Sequence, residues 1–101
     1  MTKSLRLVLT DHWFEEIKSG RKTSEYRVDG KNDFWFKRLK KCNINFTKNP
    51  IKRVVFQKAY RKNPELMEFE MENIIWHASG MDTDLKTPEA VFEIKLGRRL
   101  K

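Results

Sequence analysis

The feature that most constrains the fold is an alternation of side chains between residues 66 and 75. Apolar and acidic residues follow one another there in strict order, as Met67, Glu68, Phe69, Glu70, Met71 and Glu72. Successive side chains of a strand point to opposite faces, so this spacing predicts a long strand with one apolar and one acidic face. We expect the acidic face to pair across the sheet with lysines such as Lys95 or Lys58.

Two other segments also predict strands. Residues 54–60 are rich in β-branched side chains, and in residues 91–96 three apolar positions alternate with charged ones. No helical pattern separates these segments from the central strand. We therefore expect the three to pair antiparallel, with a highly curved sheet or a small barrel as the closure.

The first part of the chain predicts a strand, a short helix and an extended segment. Residues 5–9 alternate as a strand, and residues 11–19 have helical spacing, with Thr10 or Asp11 as the N-cap. Gly20 follows as the expected C-cap, where a left-handed backbone conformation is common. The extended pattern returns over residues 22–27.

A second short helix is predicted over residues 34–41, with Asp33 as its cap. Residues 43–50 are irregular, although Ile44 and Phe46 are compatible with a short strand. The sequence thus predicts an α+β fold, with a mostly antiparallel β-barrel of five to six strands and two short N-terminal helices. We expect one domain over residues 1–101.

The charge balance points to an anionic partner. Lys and Arg total 22 against 14 acidic residues, a net charge of +8 that favours nucleic acid, a nucleotide or an anionic surface.

The lone Cys42 excludes an intrachain disulfide and fits the cytoplasm. The apolar run at residues 5–9 is too short for a signal peptide or a membrane span. His12 and His77 lack partners at a metal-ligand spacing, so we expect neither metal nor cofactor.

Four residues around the predicted bend form the main candidate site: Gly20, Lys22, Glu25 and Arg27. Glu25 and Arg27 are two apart and share a face of a strand, whereas Lys22 joins them only from the bend after the helix. Glu25 would then hold Arg27 or Lys22 in place, while the remaining donors face a phosphate, a carbonyl or a base edge. The alternative is an ordinary ion pair on a surface strand.

Aromatic residues next to cations form a second candidate set. Trp35 precedes Arg38, and Tyr60 lies between Lys58 and Arg61. Exposed aromatics stack on unpaired bases while cations meet phosphates, so these five residues are candidate RNA contacts. The helical spacing of Trp35 and Leu39 favours a core position for Trp35, and a solvated face is the alternative for the cations.

The pattern Gly20-x-Lys22-x-x-Glu25-x-Arg27, placed after a strand and a short helix, resembles the signature of the ASCH domain family of the PUA-like superfamily. Most of the chain resembles small bacterial and phage-borne members, including residues 7–9, 13–17, 35–39, 54–60 and 92–97. The resemblance implies a PUA-type barrel with the motif residues lining a cleft beside it. It also implies RNA binding, with Gly20 making the turn and Lys22, Glu25 and Arg27 facing the ligand.

Other proteins of similar fold are amidohydrolases that remove an acyl group from a modified cytidine. In that branch a lysine at the place of Lys22 is catalytic, but a threonine stands where this chain has Glu25, and a later catalytic glutamate has no clear counterpart here. An enzyme acting on a modified nucleoside or RNA would use Lys22 and Glu25 as its acid–base pair. A third possibility is a protein-interaction module in which the motif only stabilises the barrel.

Overall fold

The computed structural model describes residues 3–30 and 34–101. Within those ranges the elements follow one another as β1 (Leu5–Leu9), α1 (Asp11–Lys18), β2 (Ser24–Val28), α2 (Phe34–Leu39), β3 (Arg53–Lys58), β4 (Leu66–His77) and β5 (Val91–Arg99). A 3-10 turn, Lys40–Cys42, extends α2. Neither helix of the described ranges is long and apolar enough to cross a bilayer.

The five strands form one mixed sheet in the order β1-β3-β4-β5-β2, curled into half a barrel. The predicted antiparallel pairing of β3 with β4 and of β4 with β5 is confirmed, and β2 also pairs antiparallel with β5. β1 pairs parallel with β3, with Leu7 opposite Phe56. The α+β class is therefore confirmed. The sheet does not close through its backbone, because β1 and β2 are its two edges.

The core fills the concave side of this sheet. Residues of β1, β3, β4 and β5 form it, and α1 adds Phe14 and Ile17, whereas the buried residues of β2, Ser24 and Glu25, are polar. Its largest fully buried side chains are Phe14, Phe56, Leu7, Met67, Ile94, Val54 and Val91. Burying a side chain of this size contributes roughly 1.5–3 kcal/mol, so a small sheet with one helix across it can be stable.

The long alternating strand is confirmed and runs two residues further than predicted, to His77. Its apolar face is buried at Met67 and Phe69, after which register shifts on both sides of Met71 interrupt the alternation. Its acidic face pairs across the sheet as expected, but mainly with arginines. The pairs are Glu68–Arg53 (3.4 Å), Glu70–Arg98 (3.1 Å) and Glu72–Lys95 (3.5 Å).

Other strand boundaries also differ from those predicted, and β2 covers Ser24–Val28 instead of residues 22–27 because residues 22 and 23 lie in the bend after α1. β3 ends at Lys58, because Ala59 turns to a positive φ of 56° and leads Tyr60 away from the sheet. β5 continues to Arg99, which pairs with Phe69 of β4, and Arg98 donates to Glu70 beside it.

The region around α2 differs as well. The α-helix ends at Leu39 and tightens into the 3-10 turn, instead of continuing to Lys41. Ile44 and Phe46 lie in a turn, so the possible extra strand there was wrong. The predicted cap Asp33 lies outside the described residues.

Candidate functional site

The bend that brings the motif together follows α1. Thr10 caps the start of the helix by accepting a hydrogen bond from the Trp13 amide. At its end, Gly20 adopts a φ of 85° and donates its amide to the Ile17 carbonyl (3.1 Å). A Cβ at Gly20 would meet nothing within 4 Å, so the backbone conformation, not lack of space, favours glycine there.

Lys22 lies in this bend, and its side chain reaches the Glu25–Arg27 pair. Its ammonium is 3.3 Å from Glu25 Oε1, and the Arg27 guanidinium bonds Glu25 Oε2. Only 5% of the Glu25 side chain is exposed. A buried carboxylate with a cation on each oxygen is held in one position, so Glu25 organises the cluster.

The ammonium of Lys22 is enclosed on its other sides. It bonds Asp84 Oδ2 from the loop before β5 and lies over the rings of Trp13 (4.5 Å) and Tyr26 (5.1 Å). Two carboxylates and two aromatic faces therefore surround this cation. Lys18 and Arg21 lie near Lys22 in the sequence but pair elsewhere, with Glu65 and Glu16.

A cleft of about 520 Å³ opens at the free edge of β1. It brings together five of the predicted site residues, namely Glu25, Arg27, Trp35, Arg38 and Tyr60. Arg27 spans the gap between the two edge strands by donating from Nη2 to the Val8 carbonyl (3.3 Å). The cleft thus lies where backbone pairing would otherwise close the barrel.

Aromatic and guanidinium groups form the outer wall of the cleft. Trp35 packs against the core, and the guanidinium carbons of Arg38 and Arg27 lie 4.6 Å and 5.3 Å from its ring centre. Phe34 meets Trp35 edge-on and is exposed. Trp35 is therefore both a core residue and part of the cleft wall, so the two alternatives posed by its spacing are not exclusive.

Backbone groups of β1 form part of the cleft floor. Arg38 Nη2 donates to the Arg6 carbonyl (3.3 Å), as Arg27 does to that of Val8. The Leu9 carbonyl points the other way and accepts from Ala59. Because an extended residue directs its N–H and C=O to the same side, the peptide groups of Arg6 and Val8 face the cleft.

The remaining predicted contacts lie apart from the cleft or at its rim. Lys58 bonds Glu15 (2.8 Å), and Arg61 bonds Asp11 (2.6 Å), both on α1. These hydrogen bonds lower the pKa of each carboxylate and raise the pKa of each cation. Tyr60 lies at the rim of the cleft with 88% of its surface exposed.

A polar network lies behind Lys22. Ser24 donates to Glu93 (2.6 Å), whose other carboxylate oxygen is 2.8 Å from His77 Nε2. Burial alone would raise the pKa of Glu93, but the bonds from Ser24 and His77 outweigh it and lower that pKa. Burial, followed by the Glu93 charge, raises the pKa of Tyr26. Among residues 3–30 and 34–101, no group of three or more His, Cys, Asp or Glu side chains is arranged to hold a metal ion.

Sequence reasoning missed several groups of this site. Asp84 lies 62 positions from Lys22, and nothing in the local spacing links them. Trp13, Phe34 and Arg6 were not among the predicted site residues. The position of Phe34 directly before the candidate residue Trp35 was the local signal that could have identified it.

Comparisons of the chain with protein-family models, curated proteins and solved structures found no match.

Proposed function

We propose that this chain is an ASCH-like module of PUA type that binds single-stranded RNA, or a nucleotide-like ligand, in the cleft beside β1. The observation that carries the proposal is the pair of guanidinium groups, Arg27 and Arg38, at one aromatic ring, Trp35. Aromatic faces stack on unpaired bases, and guanidinium groups bind phosphates or base edges. The net charge of +8 would steer a polyanion towards such a site.

The roles within the cleft follow from accessibility. Arg38, whose hydrogen bond to Arg6 is exposed, suits a phosphate, whereas Arg27, whose bond to Val8 is partly buried, suits a base edge or a carbonyl oxygen. Glu25 positions Arg27. Lys22 is enclosed, so it does not contact the ligand and instead holds Glu25 in position. The peptide groups of Arg6 and Val8 add donors and acceptors of fixed direction.

Glu25→Gln tests this proposal by fluorescence anisotropy with single-stranded RNA at two salt concentrations. The substitution raises the net charge from +8 to +9. A protein that attracts RNA only diffusely would bind slightly tighter with the same salt slope. If Glu25 positions Arg27, binding weakens about tenfold or more, the usual effect of losing a hydrogen bond to a charged group.

Glu89→Gln is the matched control. It makes the same charge change at an exposed position in the loop before β5. Equal affinities for the two variants would remove the support for an organised site. Absence of RNA binding by the wild type would refute the RNA-binding function and leave a small modified nucleoside or a protein partner.

Arg38→Gln provides a second test that does not depend on a buried residue. If Arg38 contacts a phosphate, the salt slope decreases by about one and affinity falls for all sequences alike. Arg98→Gln removes the same charge from an exposed position on β5, paired with Glu70 (3.1 Å). A site at the cleft predicts a loss with Arg38→Gln that is clearly larger than the loss with Arg98→Gln.

A further inference from the structure

A second cleft, of about 420 Å³, lies on the other side of α2. Phe36 from α2, Phe46 from the following turn and Trp76 from β4 form its aromatic walls. Asp29, just after β2, and Lys40, in the 3-10 turn, add one charge of each sign. None of these five residues lines the cleft beside β1.

The aromatic walls are exposed rather than packed into the core. Phe36, Phe46 and Trp76 expose 37%, 58% and 54% of their surfaces. Phe36 and Phe46 meet edge-on with ring centres 5.4 Å apart, which fixes their rings relative to one another. Exposed aromatic surface grouped around a concavity is typical of a binding site.

Asp29 gives this apolar cleft a specific polar feature. Its Oδ2 accepts a hydrogen bond from the Trp76 indole (3.0 Å), while its Oδ1 has no partner among residues 3–30 and 34–101. A carboxylate oxygen can accept two hydrogen bonds, so most of the accepting capacity of Asp29 is unused. Buried acceptors usually have a partner, so a ligand donor is the natural complement of this one.

We propose that this second cleft binds one unpaired amine-bearing base, namely adenine, cytosine or guanine, of the single strand held in the cleft beside β1. The base stacks on the exposed aromatic rings, its amine donates to the Asp29 carboxylate, and Lys40 meets the adjacent phosphate. Each of these three bases carries an exocyclic amine with two N–H donors. Uracil has no amine, and its one donor on the pairing edge, N3–H, lies between two carbonyl oxygens that a carboxylate repels. That the base belongs to a bound RNA strand rests on the proposed function. That the second cleft accepts such a base does not depend on it.

The test compares oligo(A), oligo(C) and oligo(U) of equal length on the wild type, Asp29→Asn and Glu25→Gln. Both variants raise the net charge by one, to +9, so diffuse attraction is matched. We expect the wild type to prefer oligo(A) and oligo(C) over oligo(U) by about tenfold. Asp29→Asn should abolish most of that preference, whereas Glu25→Gln should weaken all three oligonucleotides and keep the preference.

Phe46→Ala adds a second variant, since this exposed side chain is removable without opening the core. Loss of one stacking face should weaken oligo(A) about five- to tenfold. Equal affinities of the wild type for the three oligonucleotides, or a preference unchanged in Asp29→Asn, would overturn the inference. The proposed function would then still stand if Glu25→Gln weakened binding.

Free nucleosides separate the two ideas fully. Ligand-observed NMR with adenosine and uridine detects binding to the second cleft even if the chain binds no RNA. Adenosine contacts that disappear in Asp29→Asn would support the inference, and equal or absent contacts for the two nucleosides would overturn it. A concentration-dependent dimer of the wild type that Phe46→Ala dissociates would also overturn it, because a second copy would then occupy the cleft.

Discussion

Glu25→Gln should destabilise the fold as well as weaken RNA binding, and the structure allows the cost to be worked out. Removing one partner from a buried ion pair costs about 3–5 kcal/mol when the other charge is left without compensation. Here 5% of the Glu25 side chain is exposed, against 10% for Lys22 and 20% for Arg27. All three groups are therefore largely removed from water.

Other hydrogen bonds of Lys22 and Arg27 reduce this loss of stability. After the substitution Lys22 keeps its bond to Asp84, and Arg27 keeps the carbonyls of Val8 and Tyr26. The glutamine retains one acceptor, but its amide donors face a cation that has only donors itself. We therefore expect a loss of about 2–4 kcal/mol in the free energy of unfolding. At about 4–8 °C per kcal/mol for a domain of this size, the Tm should fall by roughly 8–30 °C.

Urea unfolding followed by circular dichroism measures this change, with Glu72→Gln as the control. Glu72 is 57% exposed and lies 3.5 Å from Lys95, so its substitution should cost less than about 1 kcal/mol. If Glu25→Gln costs no more than the control, the buried ion cluster does not contribute as argued. A double-mutant cycle with Lys22→Met should give a coupling energy of about 1–3 kcal/mol, since the two groups are in contact. RNA titrations belong at about 15 °C, where small domains are near their maximum stability.

Two further predictions concern the groups that position the cluster. Gly20→Ala should lower the free energy of unfolding in urea by about 1–2 kcal/mol, because the φ of Gly20 is 85°. Gly30→Ala is the control and should be near neutral, because Gly30 has no positive φ and a Cβ there would meet nothing within 4 Å. Equal effects of the two substitutions would refute the backbone argument. The lowered pKa of Glu93 stabilises the fold above its unfolded pKa of about 4.5, and this contribution is lost as pH falls through the folded pKa. Glu93→Gln should therefore destabilise the protein at neutral pH and much less near pH 3 in parallel thermal melts; a deficit that is independent of pH would contradict it.

Local patterns predicted the elements of this fold well because each depends on neighbouring residues. The alternation from Met67 to Glu72 identified the central strand, and helical spacing with a following glycine identified α1. The bend at Gly20 also allowed the contact between Lys22 and Glu25 to be anticipated. That contact spans only three residues, so local geometry determines it.

Long-range pairing was not predictable in the same way. Nothing in β1 indicates that it lies parallel to β3, since its alternation would fit any buried strand. Lys58 and Arg61 appeared available for phosphate, but Glu15 and Asp11 on α1 pair with them once the helix packs beside β3. A basic run in a sequence predicts a binding surface only where the fold leaves its charges without acidic neighbours.

The open edge of β1 explains why stabilising and recognition groups coincide in this protein. In a closed barrel, the peptide groups of Arg6 and Val8 would be consumed by pairing with β2. Here side chains bridge the gap, with Arg38 and Arg27 donating to those two carbonyls. Such cover also protects an edge strand that would otherwise invite pairing with another chain. Each of these guanidinium groups has further donors, so it can keep its carbonyl while it binds a ligand, and the cleft can fill without the half-barrel coming apart.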